Sequence, residues 1–263
     1  MMEILSAILL GLVQGLTEFL PVSSSGHLEL AKVILGHTGP EEGLILTIVL
    51  HTATALSTLI VFRKDIGEIL TGLLVKKSNS WLFTLHIIIS MIPAAFIGLF
   101  FEEKIATLFD GNLFLVGGAL LATGFLLHLA DRPVDTKKVL NSQNAFWIGI
   151  AQAIAILPGV SRSGATIASA VLLGISRENA ARFSFLMVIP LIFGSLSKSI
   201  LDAESTAITI DLLPLTLGFT TALLTGIFAC RWMIALVKNS QLKYFAYYCF
   251  VVGTLALLYG FIG

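Results

Sequence analysis

Charge is what this chain has least of. Only 12% of its 263 residues are Asp, Glu, Lys or Arg, while 56% are hydrophobic. A soluble domain cannot hide so much apolar surface, so the chain reads as an all-α polytopic membrane protein. Acids and bases balance at 16 each, and a chain without net charge has no global field to draw nucleic acid. Cysteine is nearly absent. Cys230 and Cys249 both sit in apolar surroundings and support neither a disulfide framework nor a metal cluster. The apolar N-terminus has no basic leader and no small-residue cleavage site, so it reads as part of the mature fold and not as a signal peptide.

Against that plain background one phrase occurs twice. A single offset of 138 residues aligns Gly11 with Gly149, Gln14 with Gln152, Ser23 with Ser161, Ser25 with Ser163, Gly26 with Gly164 and Gly36 with Gly174. Each copy is a hydroxyl-rich break in an apolar stretch, about 4–35 and 145–174, interrupted by Pro21 to Gly26 and by Pro158 to Gly164. Proline removes a donor and glycine loosens the backbone, so each stretch should be two half-helices. Irregular backbone is not tolerated against lipid, so each break must be buried or face a wet cavity. Paired breaks in two halves point to a binding site near the bilayer midplane.

Uninterrupted apolar runs at about 45–62, 81–101, 113–130, 183–200, 212–230 and 244–262 are each near spanning length. The expected architecture is therefore six transmembrane helices plus two re-entrant helical hairpins, arranged as an inverted-topology repeat. The first repeat covers residues 1–131 and the second 145–263, within one membrane domain. Eight plain, kinked spans are the competing reading. Loop charge favours the hairpins. With hairpins, Arg63, Lys64, Lys76, Lys77, Arg132, Lys137, Lys138, Arg177, Arg182, Arg231, Lys238 and Lys243 all fall on one side, which the positive-inside rule makes cytoplasmic. The other side carries Glu41, Glu42, Glu102, Glu103, Asp110, Asp202, Glu204 and Asp211, with Lys104 its single base. Both termini then lie outside. The first hairpin dips in from outside and the second from the cytoplasm, and three spans plus a hairpin per half invert the repeat.

The two tips carry different chemistry. In the first, Gln14 and Glu18 are four apart and share a helix face. Ser23, Ser24 and Ser25 follow, then Gly26 and His27 open the returning half-helix, whose free N–H groups suit an anion. A carboxylate, a hydroxyl row and an imidazole can supply nucleophile, base and metal ligand. Serines alone could be read as caps, but capping accounts for neither Glu18 nor His27, and ionisable groups in a membrane are expensive. The second tip has Arg162 where the first has Ser24, flanked by Ser161 and Ser163 and followed by Thr166. A guanidinium fork between hydroxyls suits a phosphate, and it could also pair with Glu18. His51, His86 and His128 stand singly in apolar runs and read as core or interface residues. Lys198 sits near a helix end, and Glu29 and Lys32 are spaced for a local pair.

At these residues the sequence resembles the undecaprenyl-diphosphate phosphatase family of the bacitracin-resistance type. The first family motif, Glu/Gln-x-x-x-Glu followed by Pro-x-Ser-Ser-Ser/Thr-Gly-His, falls on Gln14 to Glu18 and Pro21 to His27. The second, Pro-Gly-x-Ser-Arg-Ser-x-x-Thr, falls on Pro158 to Thr166. The resemblance runs the length of the chain. It implies removal of the terminal phosphate from a C55-type isoprenoid diphosphate, giving the monophosphate carrier of cell-wall synthesis, with a divalent cation such as Mg²⁺ or Ca²⁺. By position it makes Glu18, Ser24 and His27 the catalytic group and Arg162 the diphosphate clamp. Ser161, Ser163 and Thr166 would help to hold the substrate beside Ser23, Ser25 and Gly26. Glu18 and Gln14 would face the metal, although many members have Glu at the Gln14 position, and an amide is the weaker ligand and no base.

The nucleophile is then Ser24, His27 or water, with His27 or Glu18 taking the proton. The implied location is the plasma membrane, with the site opening to the extracytoplasmic side. The implied partners are the lipid substrate and membrane lipids, with self-association allowed and nucleic acid excluded. The rival class is a secondary transporter or lipid flippase, since inverted repeats with broken helices are also transporter architecture. Such a protein needs an anion clamp but no nucleophile beside a base.

The charge asymmetry has a direct test. A cysteine introduced at position 103 should react with an impermeant thiol reagent added outside intact cells, and one at position 137 only after the membrane is opened. The reverse pattern overturns the orientation.

Overall fold

The computed structural model describes residues 2–35, 40–101, 104–105, 107–109, 112–131, 138–203, 212–238 and 241–262. Several charged residues used above lie outside the side chains it describes: Glu41, Glu42, Glu102, Glu103, Asp110, Arg132, Lys137, Lys198, Asp202, Glu204, Asp211 and Lys238. Among the described residues there are eleven α-helices and no strand, only an isolated bridge between Lys138 and Ile175.

The first half contains α1 (Met2–Thr17), α2 (Ser24–Leu35), α3 (Pro40–Val61), α4 (Arg63–Leu74), α5 (Ser78–Phe100) and α6 (Leu113–Ala130). The second contains α7 (Ser142–Ile154), α8 (Arg162–Leu172), α9 (Arg177–Ala203), α10 (Leu212–Lys238) and α11 (Leu242–Ile262). The two apolar stretches are broken where the sequence requires. The α1–α2 break contains Pro21, and the α7–α8 break contains Pro158 and Gly159. Side chains cap the new starts. Asn112, Asn141 and Ser161 accept from the backbone N–H groups of Leu115, Asn144 and Gly164. Helix α8 ends at Gly174, whose φ of 94° is open to glycine at little cost. Its N–H and that of Ile175 close back on Val171 and Ala170.

Helices α5, α6, α10 and α11 are long and apolar enough to cross a membrane. Helices α3 and α4 pass the same test together but bend by 70°. The chain is therefore a multi-pass membrane protein. Its outer helical faces are apolar, as at Ile88, Ile92 and Phe96 on α5 and Leu224 and Phe228 on α10. One expectation changes: residues 63–80, read as a loop, are mostly the helix α4. Its basic start hid a helical stripe in which Ile66 and Ile69 pack on the core while Glu68 and Thr71 face out.

Packing crosses between the halves. Helix α1 lies along α10, α7 lies along α5, and α6 lies along α11. Small residues permit each approach. A Cβ on Gly11 would fall 2.5 Å from the Gly218 carbonyl oxygen, and one on Gly149 would fall 2.4 Å from that of Ser90. Gly117 and Gly253 do this reciprocally, each Cβ falling 2.9 Å from the other's carbonyl oxygen. Without a hydrophobic drive between helices in lipid, such backbone contact is how they hold together. The shared core joins Phe19 and Val22 at the first tip to Val116, Leu120, Ile167, Phe183 and Met187. Cys230 and Cys249 are buried and free within it.

At one end the base-bearing segments meet. Arg182 Nε donates to Asp65 Oδ1 at 2.5 Å, and Arg177 Nη2 donates to the Asp131 carbonyl at 3.0 Å. The Lys138 N–H donates to the Gly174 carbonyl at 3.0 Å. The expected local pair also forms, with Lys32 Nζ 3.1 Å from Glu29 Oε1.

Gly149→Ala should cost stability, because its methyl group would meet backbone and not a flexible side chain. Overpacking of this kind costs about 1–3 kcal/mol. A thermal melt of the purified variant should show a lower transition. An unchanged melt means that α5 and α7 separate at no cost.

Candidate active site

The two breaks meet. A Cβ on Gly26 would lie 3.1 Å from Gly159 Cα, and the Gly159 N–H reaches Ser25 Oγ at 3.4 Å. Ser163 Oγ donates to the Leu20 carbonyl at 3.2 Å. Gly159 has φ 88° and runs so close to Val116 that a side chain there would strike its carbonyl oxygen at 2.7 Å. The first turn of α2 and that of α8 therefore face a common space, 138 residues apart in sequence.

Glu18 is the hub. Its Oε1 accepts from Arg162 Nη2 of the other tip. Its Oε2 accepts from Gln14 Nε2 at 3.0 Å and from Ser24 Oγ at 2.5 Å. The carboxylate side chain is only 6% exposed and the arginine 27%. A pair this buried is costly to break from one side, by about 3–5 kcal/mol, because the remaining charge has no solvent. Gln14 Nε2 also reaches Thr54 Oγ1 on α3 at 3.3 Å, while Gln14 Oε1 is buried with no partner. His51, read as a core histidine, lies within electrostatic reach of Glu18 and anchors its own Nδ1 on the Thr47 carbonyl at 2.9 Å.

The remaining candidates divide. Ser23 has φ 71°, a left-handed conformation that costs a non-glycine residue roughly 1 kcal/mol or more. The conformation lets Ser23 Oγ cap the Gly26 N–H at 3.2 Å. It also places the Ser23 carbonyl 2.8 Å from His27 Nδ1. With Nδ1 donating, His27 Nε2 is left as an acceptor, and Tyr248 OH on α11 donates to it at 2.8 Å with the two rings stacked. His27 thus flanks Ser24 on α2 but bonds to neither Ser24 nor Glu18. In the second tip Ser161 is the cap of α8, and its hydroxyl lies 3.4 Å from that of Ser163. Thr166 faces away from the tip, bonding the Arg162 carbonyl at 2.8 Å and Ser184 Oγ at 2.6 Å. Gln14, Glu18, Ser24 and Arg162 are the group that the fold gathers around one carboxylate.

Sequence reasoning missed Tyr248, Thr54 and Ser184. Tyr248 stands among Tyr244 and Tyr247 and looks like an interfacial aromatic. Thr54 could have been found, because it shares a hydroxyl-bearing helix face with Ser57 and Thr58 inside an apolar run.

Among the described residues no three His, Cys, Asp or Glu side chains cluster as a metal cage. The donors at the hub are the Glu18 carboxylate and the orphaned Gln14 Oε1, both hard oxygens. That set fits Mg²⁺ or Ca²⁺, and Mg²⁺ in particular commonly uses one or two protein oxygens and takes the rest from water and substrate phosphates. The group as a whole offers a hydroxyl aimed at a carboxylate, beside a guanidinium and two helix N-termini. It can attack and hold a phosphate.

A sequence model for the bacitracin resistance protein BacA matches residues 7–255. An undecaprenyl-diphosphatase of Christiangramia forsetii is 58% identical over 262 residues, covering 99% of both chains. One of Bacteroides fragilis is 44% identical over 98% of both. One of the archaeon Methanococcus vannielii is 42% identical over 96% of this chain and 98% of its own.

Proposed function

This chain belongs to the bacitracin resistance protein BacA family, and we infer that it hydrolyses undecaprenyl diphosphate to the monophosphate and inorganic phosphate. It is a membrane-embedded hydrolase that returns the lipid carrier to cell-wall synthesis. The observation that carries the mechanism is the Ser24 hydroxyl held by Glu18, with Arg162 brought to the same carboxylate from the other tip. A transporter needs the guanidinium but has no use for a hydroxyl pinned to a base.

The arrangement favours Ser24 as nucleophile and Glu18 as base. In the empty site Arg162 neutralises Glu18. An entering diphosphate competes for the guanidinium, whose fork matches two phosphate oxygens. The freed carboxylate then takes the Ser24 proton as Oγ attacks the terminal phosphorus. The bond from that phosphorus to the bridging oxygen breaks, and the lipid monophosphate leaves with the proton that Glu18 had taken. Water next attacks the phosphoserine and gives a proton to the restored carboxylate, and the bond from phosphorus to Ser24 Oγ breaks as Oγ takes that proton back and phosphate is released. Arg162 and the N–H groups opening α2 and α8 stabilise charge on the transferring oxygens. His27, held by Ser23 and Tyr248, borders the site as a positioning group. A divalent cation held by Glu18 and Gln14 Oε1 would neutralise diphosphate charge.

The finer architecture is also our reading: α3, α5, α6, α9, α10 and α11 span, and α1–α2 and α7–α8 are re-entrant hairpins. Reciprocal packing supports the inverted repeat. Helix α1 of one half leans on α10 of the other, α7 leans on α5 in return, and the α6–α11 contact is self-complementary at Gly117 and Gly253. The base-bearing segments that meet at one end support a cytoplasmic face there, in a plasma membrane, with the first hairpin opening outward. The isoprenoid tail would lie between helices.

Steady-state phosphate release from purified protein tests the hub. Arg162→Ala should lose roughly two to three decades, the effect of removing one transition-state charge contact, or about 3–4 kcal/mol. Arg162→Lys should recover little, having no fork. Glu18→Gln should lose about 10²–10⁴-fold, the usual contribution of a general base. Near-parent turnover in Arg162→Ala removes the second tip from the site.

Cation use is tested by the same assay after chelation and metal titration. Activity should disappear with chelator and return with Mg²⁺ or Ca²⁺. Gln14→Ala should then need about tenfold or more cation, and Gln14→Glu less than that variant. A Gln14→Ala enzyme with the parent cation dependence would make the amide a packing residue.

A further inference from the structure

A cavity with largely apolar walls and a few polar side chains lies away from the tips, at the end where the base-bearing segments meet. It is a cleft of about 510 Å³ between the start of α5, the first turns of α9 and residues 138–140. The chain builds it deliberately. The bridge from Lys138 to Ile175 and the Lys138 N–H to Gly174 hold the 138–140 segment against the end of α8. Ser176 and Asn179 then place the N-terminus of the 27-residue helix α9 in the cleft wall. Its first turn is closed by the Ala180 N–H donating to the Ser176 carbonyl, which puts the positive end of the helix dipole at the cleft.

Three side chains turn this end toward an anion. Arg182 lines the cleft, and Asp65 takes its Nε at 2.5 Å while Phe83 lies under the guanidinium. Those contacts fix the plane, and among the described residues neither terminal amino group has a hydrogen-bond acceptor. Lys138 lines the opposite wall and has no acid partner among the described residues. The third is His86. It is 3% exposed, it lines the cleft, and its imidazole makes no hydrogen bond within the described residues. Its ring nitrogens are not among the sealed, unpaired atoms of the interior, so its polar edge is open to the cleft. A ligand oxygen in the cleft satisfies it. The remaining walls are apolar, with Leu82, Phe83, Leu140 and Phe183 beside the polar groups.

We propose that this cleft is a second binding site, for a phosphate monoester. The polar groups hold the phosphate oxygens, and the apolar wall suits a lipid that carries the group as its head. The site shares no side chain with the Glu18 hub, so it stands or falls independently of the hydrolytic mechanism.

The test uses the full chain carrying Arg162→Ala, to weaken the first site, in phosphatidylcholine nanodiscs. Binding of radiolabelled geranylgeranyl monophosphate is measured, with geranylgeraniol and inorganic phosphate as competitors. Saturable binding should persist in the Arg162→Ala protein. It should weaken about tenfold or more when Arg182→Gln, Lys138→Gln or His86→Leu is added, the loss expected for a charge-assisted contact or a filled polar pocket. In protein with Arg162 intact, His86→Leu and Lys138→Gln should leave hydrolysis near the parent rate, which shows that the variants are folded. Inorganic phosphate competing as well as the lipid identifies free phosphate as the source, and a strong preference for the prenylated form identifies the lipid. Binding that is absent in the Arg162→Ala protein, or unchanged by all three substitutions, overturns the proposal.

Discussion

Everything at the centre of this protein depends on one ion pair that cannot exist in either half alone. Glu18 comes from the first tip and Arg162 from the second, and they meet inside a largely apolar body. An unpaired carboxylate there would be prohibitively unfavourable, and so would an unpaired guanidinium. Each justifies the burial of the other. The tip contact at Gly26 and Gly159 holds the two breaks close enough together for the pair to form. The pair leaves the carboxylate neutralised, and in the mechanism proposed above a ligand that offers the arginine better oxygens releases it.

The two tips share one phrase and differ at single positions. Where one has Ser24 the other has Arg162, and where one has His27 the other has Ala165. Gln14 and Gln152 remain matched, and both are fully buried. The first tip carries the carboxylate and the imidazole and the second the guanidinium, while a serine caps the half-helix in both. The left-handed Ser23 marks a further difference, since its counterpart Ser161 caps α8 with an ordinary extended backbone. Of the two tips, only the first holds a non-glycine residue in the left-handed region.

Much of this is legible without coordinates, for physical reasons. Long apolar runs must be helices in lipid, and Pro21 and Pro158 must break them, so the helix positions could be read directly. Ionisable residues in apolar sequence are so rare that Glu18, His27 and Arg162 stood out by type alone. What could not be read was direction. The hydroxyls of Ser161, Ser163 and Thr166 face caps and neighbouring helices, which spacing does not reveal. Nor does it reveal that His27 turns to Tyr248, because that contact joins residues 221 positions apart. Helix α4 was hidden because its charged first turn reads as a loop.

The crossing of helices between halves also bears on how the molecule is made. Helix α1 is made well before α10, which begins at residue 212, yet it packs along it. At typical synthesis rates of about 5–20 residues per second, that partner arrives roughly 10–40 s later. Until then Gly11 has no carbonyl to lean on, and Glu18 has no guanidinium until Arg162 follows. The nascent first hairpin must wait at the membrane surface or beside the insertion machinery, with its carboxylate still hydrated. Seating of α1 therefore waits on a partner made much later in the chain.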